Sequence, residues 1–436
     1  MHGRSLAGAV GSMTRATRIK SRLAQGLGGP TLRIPEVRSL YVAYTVLGVA
    51  ASTALPLIPL FLTEELRASG NDIGLFMSTR LISPVLVVAT GVLARRMRSS
   101  RPVLLAAALW TSVGWFMMAT VHGLAQAMVV SLVFFGLSGV LNAQFAVLLH
   151  DVVEHAAEQQ SVAAMTTLRG GFALGTAIGP LLGTAVIATV GFRANCVVAA
   201  ALFALGTLPL FRVKATRPVA SSAKTSGGTG NADAQHRQGE ERGLGAQGYG
   251  PFGLAVMVTG IALVMSCSSV KTAYLPLQVV DGLHSSTTVL GVLLALGTVV
   301  EVIAFPVMGA LAERLGIPRV LWASLLAGAA GYALMAVAGD LWVLVVVQFL
   351  HAASTVGVFG ISVSYVLERS RTDAHAAHSA FFAAQGISTP VGGLLGSFAF
   401  VAYGIPDLFW VPAAIYVAFL LVLTVEARAG LLARPT

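Results

Sequence analysis

Long apolar runs separated by short polar breaks dominate the chain between residues 39 and 426. A helix that crosses a bilayer needs roughly 20 mostly apolar residues, and twelve runs of about that length are bounded by Gly, Pro or clustered charges. They lie near 39–63, 73–94, 102–121, 124–149, 161–190, 193–211, 251–276, 289–311, 320–338, 341–367, 378–402 and 407–426. The pattern predicts an all-α membrane protein with twelve transmembrane helices.

Polar segments flank and divide these runs. Residues 1–38 hold seven Lys and Arg and no apolar core, so we expect a disordered basic cytoplasmic arm and not a cleavable signal peptide. Residues 213–250 are Ser/Gly-rich and polar, which predicts a flexible cytoplasmic linker. The linker separates six spans in 39–212 from six spans in 251–426. A short cytoplasmic tail, 427–436, follows.

Composition supports the membrane assignment. Hydrophobic residues make up 56% of the 436 residues and charged residues 11%, whereas soluble domains average about 25% charged residues. The formal net charge is +10, but a nucleic-acid site needs a clustered basic face on a soluble fold. Here the basic residues stand between apolar runs, so we expect the lipid bilayer as surroundings and no nucleic-acid partner.

The distribution of Lys and Arg predicts the orientation. With a cytoplasmic N-terminus, 23 of the 28 basic residues fall in cytoplasmic segments and two, Arg67 and Arg193, in external loops. The positive-inside rule therefore predicts that both termini are cytoplasmic. The remaining three, Arg80, Arg169 and Lys271, fall inside spans.

Neither enzyme chemistry nor a cofactor is indicated. Cys196 and Cys267 lie in or beside apolar runs, without the spacing of a disulfide framework or a metal site. The sequence shows neither a His, Asp or Cys cluster near an interface nor a nucleotide loop. We expect no catalytic residues, no metal and no cofactor, and a polytopic membrane enzyme or sensor is only a distant alternative.

The two halves of the sequence resemble each other. Residues 91–101, GVLARRMRSSR, align with 309–319, GALAERLGIPR, and IGPLLG (178–183) recurs as VGGLLG (391–396). Both pairs fall at matching places, after the second span and inside the fifth span of each half. Two parallel six-helix pseudo-repeats form the major facilitator fold, and that fold is the predicted one.

The loop 309–319 also resembles the motif that the major facilitator superfamily carries between spans 2 and 3 and repeats between spans 8 and 9. In the first half, Arg95 replaces the acid of the motif. The resemblance implies a loop that takes part in the conformational switch. Its matching residues in the two copies are Gly91, Leu93, Arg96 and Arg101, and Gly309, Leu311, Glu313, Arg314, Gly316 and Arg319.

More narrowly, the chain resembles the bacterial sugar efflux transporter family of that superfamily. The similar segments are NDIGLF (71–76), NAQFAVLLHD (142–151), LRGGFALGTAIGPLLG (168–183), YLPLQVVDGL (274–283) and GTVVEVIAFPVMG (297–309). This resemblance implies a secondary transporter of the bacterial inner membrane that exports sugars or related small glycosides in exchange for protons, functional as a monomer. A multidrug/proton antiporter of the same superfamily is the alternative.

Two titratable groups are candidates for proton coupling. Glu301, near the centre of span 8, is the only acid deep in any predicted span. It could lock two helices through an ion pair, or it could carry a proton or accept a hydrogen bond from a sugar; we favour the second role. His351, near the middle of span 10, is the other candidate, because imidazole titrates near neutral pH.

Span 5 combines an arginine with regularly spaced glycines. Arg169 lies about 12 Å above the cytoplasmic start of the span at 1.5 Å per residue, and it could snorkel to the interface or, as we favour, face a cavity. Gly175, Gly179 and Gly183 recur every four residues, which allows close helix packing. With Pro180 they also resemble the span 5 motif of proton-coupled antiporters, which favours export.

The remaining cavity candidates are polar side chains in other spans. Arg80 could snorkel outward or line the cavity, and both interpretations stay open. Lys271 lies near the outer end of span 7, where snorkelling is the favoured interpretation. Amides and aromatic rings suit hydroxyl-rich ligands, although hydrogen bonds between helices are an equally good explanation of each residue. These residues are Asn142, Gln144, Gln348, Gln385, Tyr41 and Tyr44.

Overall fold

A computed structural model gives the structure of most of the chain. The described residues are 32, 35–83, 85–86, 89–90, 101–137, 139–141, 144–145, 148, 152, 161–213, 251–369 and 374–429. Within them, 161–169, 251, 374–379 and 428–429 are described at the level of the backbone. Most of the arm, of the linker and of the tail that the sequence predicts lies outside this range, but residues 35–38, which the sequence assigns to the disordered arm, belong to a helix that begins at Pro35.

Every regular element in the described residues is helical, as predicted. We number the helices in chain order: α1 Pro35–Ala54, α2 Gly70–Ser78, α3 Arg101–Thr120, α4 Leu124–Phe134, α5 Ser161–Val190, α6 Phe192–Thr207, α7 Pro251–Leu277, α8 Thr287–Leu315, α9 Ile317–Ala336, α10 Leu341–Val356, α11 Ala374–Tyr403 and α12 Trp410–Ala429.

Several helices continue through short irregular turns. Three-residue helical turns and a π-turn extend α1 to Glu65, and a π-turn extends α7 to Gly282. A π-turn and a further helical segment, Ser362–Arg369, extend α10. With these extensions, eleven helical stretches of the described residues are long and apolar enough to cross a membrane. The second predicted span, 73–94, is described only in part. The structure therefore supports eleven of the twelve predicted spans, and this one remains a prediction from the sequence.

Two very short connections depend on glycine. Gly191 joins α5 to α6 with a φ of 105°, and Gly316 joins α8 to α9 with a φ of 88°. Residues with a Cβ rarely adopt positive φ. These glycines therefore allow one helix to end and the next to begin within a single residue.

Large apolar side chains cover the outside of the helices. Trp342 is 79% exposed, Val190 73% and Phe252 71%. Soluble monomers rarely expose contiguous apolar surface on this scale. Such a surface is expected of helices that face lipid.

The helices pack into two compact units. The first consists of Met1–Asp72, Ile82–Thr216 and Leu275–Val302, and the second of Ile73–Leu81, Arg217–Tyr274 and Ile303–Thr436. In the first unit α1 packs on α5 and α6, and α3 packs on α6; in the second unit α9 packs on α10 and α12. The predicted division into 39–212 and 251–426 remains a prediction from the sequence.

Candidate functional site

A buried hydrogen bond joins α7 to α10 in the second unit. Nζ of Lys271 donates to Oε1 of Gln348 over 2.9 Å. Lys271 is 8% exposed and Gln348 2% exposed. The ammonium group thus lies inside the helix packing, which differs from the snorkelling position favoured by the sequence. The cost of placing a charge among apolar helices indicates a specific role for it.

One face of α10 continues this polar region. His351 is buried one helical turn after Gln348, within electrostatic range of Lys271. Its ring meets that of Tyr332 edge-on at 5.8 Å. Oγ of Ser354 donates to the hydroxyl of Tyr416 over 3.0 Å. We call Lys271, Gln348, His351, Ser354, Tyr332 and Tyr416 the polar cluster.

Sequence reasoning missed three members of the cluster, namely Tyr332, Ser354 and Tyr416. A signal was present for Ser354, because polar residues recur on α10 every three residues at 348, 351 and 354. Residues three to four apart share one face of a helix. The two tyrosines have no comparable signal, because isolated aromatic residues in apolar helices are common in cores.

The first unit contains an aromatic stack. The ring of Tyr44 lies between Phe145, at 4.2 Å, and Phe172, at 4.6 Å between centroids. Tyr41 lies against Gly171, where a Cβ atom would meet its ring at 2.7 Å. Gln144 is buried in the same unit, and its Oε1 has no hydrogen-bond partner in the described part of the chain.

The glycines of α5 lie in its contact with α1. Gly179 approaches Val49 and Ser52 so closely that an added Cβ would overlap both residues, and Gly175 does the same with Thr45. Gly183 lies equally close to Thr53. Pro180 lies on another side of α5, where its carbonyl oxygen and Thr184 face Gly291 of α8.

The second unit repeats this contact. Gly392 of α11 is the residue that the internal repeat aligns with Gly179, and it lies against Ser266 and Ser269 of α7. These two serines have the same spacing along α7 as Val49 and Ser52, which Gly179 contacts, have along α1. The same backbone approach therefore occurs in both halves of the sequence, at the positions that the internal repeat relates.

The other charged candidates are more dispersed. Glu301 is half-buried on α8 in the first unit, and Arg80 is buried directly after α2 in the second. Gln385 is half-buried on α11. Arg169 lies in α5, with its backbone described, and Asn142 lies outside the described residues.

The predicted switch loops are partly described. Arg101 donates to the carbonyl oxygens of Val213 at 3.0 Å and Phe211 at 3.1 Å, which attaches the start of α3 to the segment that follows α6. A Cβ at Gly309 would meet nothing within 4 Å. Glu313, Arg314 and Arg319 are exposed, and Arg319 donates to the carbonyl oxygen of Leu315. Gly91 and Arg96 lie outside the described residues.

An ion pair at the end of α10 was not foreseen from the sequence. Nη1 of Arg369 lies 3.3 Å from Oε1 of Glu426 on α12, and Glu426 is 4% exposed. The guanidinium carbon also lies 5.1 Å from the ring centre of Tyr365. Glu426 ends the twelfth predicted span, where a solvated carboxylate would be the ordinary expectation.

Family models match most of the chain. Residues 40–254 match the model described as Major Facilitator Superfamily, and residues 232–411 match the model described as MFS_1 like family. The nucleoside transporter NupG superposes with a TM-score of 0.74 over 90% of this chain and 99% of its own. At 16% identity, this likeness concerns the fold alone.

Curated relatives include transporters of related kinds. The "Putative sugar efflux transporter" of Deinococcus radiodurans is 24% identical over 76% of this chain and 82% of its own length. Sugar efflux transporter A of Dickeya chrysanthemi is 22% identical over 80% and 85%. The class C tetracycline resistance protein of Escherichia coli is 35% identical over 32% of this chain and 35% of its own.

Proposed function

Since the chain belongs to the major facilitator superfamily, we propose that it exports sugars or related small glycosides by alternating access. It is a multi-pass membrane transporter and not an enzyme. In this proposal the two sequence halves rock about a site near the middle of the membrane and expose it to either side in turn.

The observation that carries the proposal is the polar cluster. An amide, an imidazole, an ammonium group and hydroxyls lie together between apolar helices. Burying polar groups there is costly unless they form hydrogen bonds with one another or with a ligand. Amides both donate and accept hydrogen bonds, which suits a ligand rich in hydroxyl groups. Two relatives that align over most of the chain are named as sugar efflux transporters.

Proton antiport is the proposed source of energy. Glu301 is the first candidate for the proton carrier and His351 the second. An external proton that binds to the carrier residue favours release of the sugar outside. Release of this proton into the cytoplasm then resets the transporter. The positive-inside rule supports cytoplasmic termini in a bacterial inner membrane, and a single chain is the proposed working unit.

Transport by the purified protein in proteoliposomes tests this function. An imposed proton gradient should drive radiolabelled sugar to accumulate on the side from which protons leave, and a protonophore should abolish the accumulation. If the gradient moves no sugar although counterflow of the same sugar is measurable, proton coupling is wrong. If no sugar in a broad panel shows counterflow, the sugar proposal is wrong.

The tetracycline resistance relative supports a second candidate, drug export. Its similarity covers a third of the chain, whereas the relatives named for sugar efflux cover three quarters or more. Overexpression separates the two functions. A sugar exporter should protect cells from toxic sugar analogues, and a drug exporter should protect them from tetracycline or lipophilic cations.

A further inference from the structure

A groove of about 220 Å³ lies on the first unit, between the start of α1 and the helical turn Leu208–Arg212 that follows α6. The start of α1 packs against this turn. Both walls stand where predicted spans end, at residue 39 of the first span and residue 211 of the sixth. The groove therefore lies at the boundary between hydrocarbon and lipid headgroups. Its lining residues are Pro35, Arg38, Ser39, Val42, Pro209 and Arg212.

The part of α1 that lines the groove is one face of that helix. Pro35, Arg38, Ser39 and Val42 have the spacing i, i+3, i+4 and i+7, which places them on a single side. Glu36 is two residues from Arg38, about 200° around the helix at 3.6 residues per turn. The acid of the first turn therefore lies on a different side of α1 from the arginine.

The two arginines of the groove are exposed. In the part of the chain that the structure describes, neither Arg38 nor Arg212 forms an ion pair. Like charges that line one groove repel each other. Arg38 is also the fourth residue of α1, near the positive end of the helix dipole, where a cation is unfavourable. An anion bound between the arginines would offset both costs.

The wall that carries Arg212 is fixed by hydrogen bonds. The guanidinium group of Arg101 donates to the carbonyl oxygens of Phe211 and Val213, the residues on either side of Arg212. Val213 is buried, and Pro209 restricts the backbone of the same turn. The turn is thus positioned beside α1 without a ligand, which lowers the cost of ordering the site when a ligand binds.

Apolar side chains are exposed next to the arginines. Val42 lines the groove and is itself exposed, and Leu208 and Phe211 are exposed on the turn that forms the other wall. An amphiphile matches this arrangement, because its headgroup can contact the arginines while its chains cover the apolar side chains. A soluble anion would leave that apolar surface uncovered.

The fold itself does not require a charge at position 38. In the helix contact that both halves share, Val49 of α1 corresponds to Ser266 of α7, and the same sequence offset relates Arg38 to Ala255. Ala255 is exposed. The equivalent helix of the second half therefore forms with a small uncharged residue at this place, which indicates that Arg38 has a role other than helix packing.

From these observations we infer that Arg38 and Arg212 bind the phosphate group of an anionic phospholipid, whose acyl chains lie along the exposed apolar side chains beside the groove. Guanidinium groups form strong, often bidentate hydrogen bonds with phosphate oxygens, and basic pockets between membrane helices bind anionic lipid headgroups. With the cytoplasmic termini proposed above, the lipid belongs to the cytoplasmic leaflet. The inference does not depend on which substrate is transported.

Lipid binding by the purified protein tests the inference. Native mass spectrometry counts the lipids retained after titration in detergent with phosphatidylglycerol, which is anionic, or phosphatidylcholine, which has a phosphate group but no net charge. The wild-type protein should retain one phosphatidylglycerol more tightly than phosphatidylcholine. Equal retention of the two would overturn the inference. Inorganic phosphate is the third probe, and if it displaces phosphatidylglycerol at equal concentration, the groove binds a soluble anion and the lipid proposal is wrong.

Variants locate the bound lipid. Arg38→Gln and Arg212→Gln should each weaken phosphatidylglycerol binding by about fivefold, and the double variant should lose the preference over phosphatidylcholine. Both side chains are exposed, so the melting temperature without lipid should stay close to that of the wild type.

Arg67→Gln is the matched control, because it removes one exposed arginine beyond the opposite end of the same helical stretch. It should bind phosphatidylglycerol as the wild type does. An equal loss in Arg67→Gln and in the two groove variants would mean a general attraction between opposite charges, and it would overturn the site.

Discussion

The ammonium group of Lys271 on α7 and the side-chain oxygen of Gln348 on α10 are 2.9 Å apart, although 77 residues separate them in the chain. Both side chains are buried, so each satisfies a polar group that water does not reach. A buried partner left alone costs about 1–3 kcal/mol, whereas replacing both partners with apolar groups can be nearly neutral. We therefore expect the effects of substituting these two residues on the free energy of unfolding to be strongly coupled.

A double-mutant cycle measures this coupling. We expect Lys271→Met and Gln348→Leu each to lower the free energy of unfolding by about 1–3 kcal/mol. The double variant should be less destabilised than the sum of the two, by about 0.5–3 kcal/mol. Thermal unfolding in one detergent provides the measurement. Additive effects would contradict a direct interaction between the two side chains.

Close helix contacts at Gly179 and Gly392 lead to a second prediction. A methyl group at either position would overlap the neighbouring helix, α1 or α7 respectively. We expect Gly179→Ala and Gly392→Ala each to destabilise the protein by about 1–3 kcal/mol, the usual range for overpacking. Gly309→Ala is the control, because a Cβ there meets nothing within 4 Å.

Melting temperatures of the three glycine variants provide the comparison. Similar losses at Gly179 and Gly392 would show that both halves depend on the same type of contact. A loss at Gly309 as large as at the other two would contradict overpacking as the cause, because a Cβ at Gly309 meets nothing within 4 Å. Alanine has the higher helix propensity, so propensity alone predicts a gain.

Two ion pairs of different burial give a third prediction. Both arginines are about one-third exposed, but the carboxylates differ: Glu426, which pairs with Arg369, is 4% exposed, and Glu65, which pairs with Arg193, is about one-third exposed. Exposed pairs contribute about 0–1 kcal/mol, and breaking a buried pair costs more. Glu426→Gln should therefore lower the melting temperature more than Glu65→Gln. Equal effects at low salt would contradict the dependence on burial.

The sequence could predict the helices because their length is set by the bilayer. The apolar run 161–190 coincides with α5 as observed, and 407–426 lies within the last helical stretch. The run 251–276 ends too early, because a π-turn extends α7 to Gly282. Hydropathy measures how apolar a segment is and contains no signal for such turns.

The site was less accessible to sequence reasoning. The sequence predicts how far along its span Lys271 lies and which face of its helix carries Gln348. Which side chain each of them contacts depends on how α7 and α10, which are distant in the sequence, are rotated about their own axes. Lysine is long enough to snorkel or to turn inward, and the presence of an acceptor on α10 decides between these positions. Tyr416 gave no signal for the same reason, since its partner Ser354 is 62 residues away.

Glu301 leads to the last prediction, which concerns proton coupling. The side chain is half-buried on α8, a little more than three helical turns before the exposed Glu313 on the same helix. If Glu301 carries the proton, Glu301→Gln keeps the shape and most hydrogen bonds of the side chain and removes its ability to bind and release a proton. Sugar counterflow should then persist while accumulation driven by a proton gradient is lost.

Glu313→Gln is the matched control, because it makes the same change on the same helix at an exposed position. It should retain gradient-driven accumulation. The two functions separate because counterflow needs alternating access with sugar bound, whereas accumulation needs the proton step as well. Gradient-driven transport by Glu301→Gln at the wild-type rate would exclude Glu301 as the carrier, and the same assay on His351→Gln would then test the second candidate.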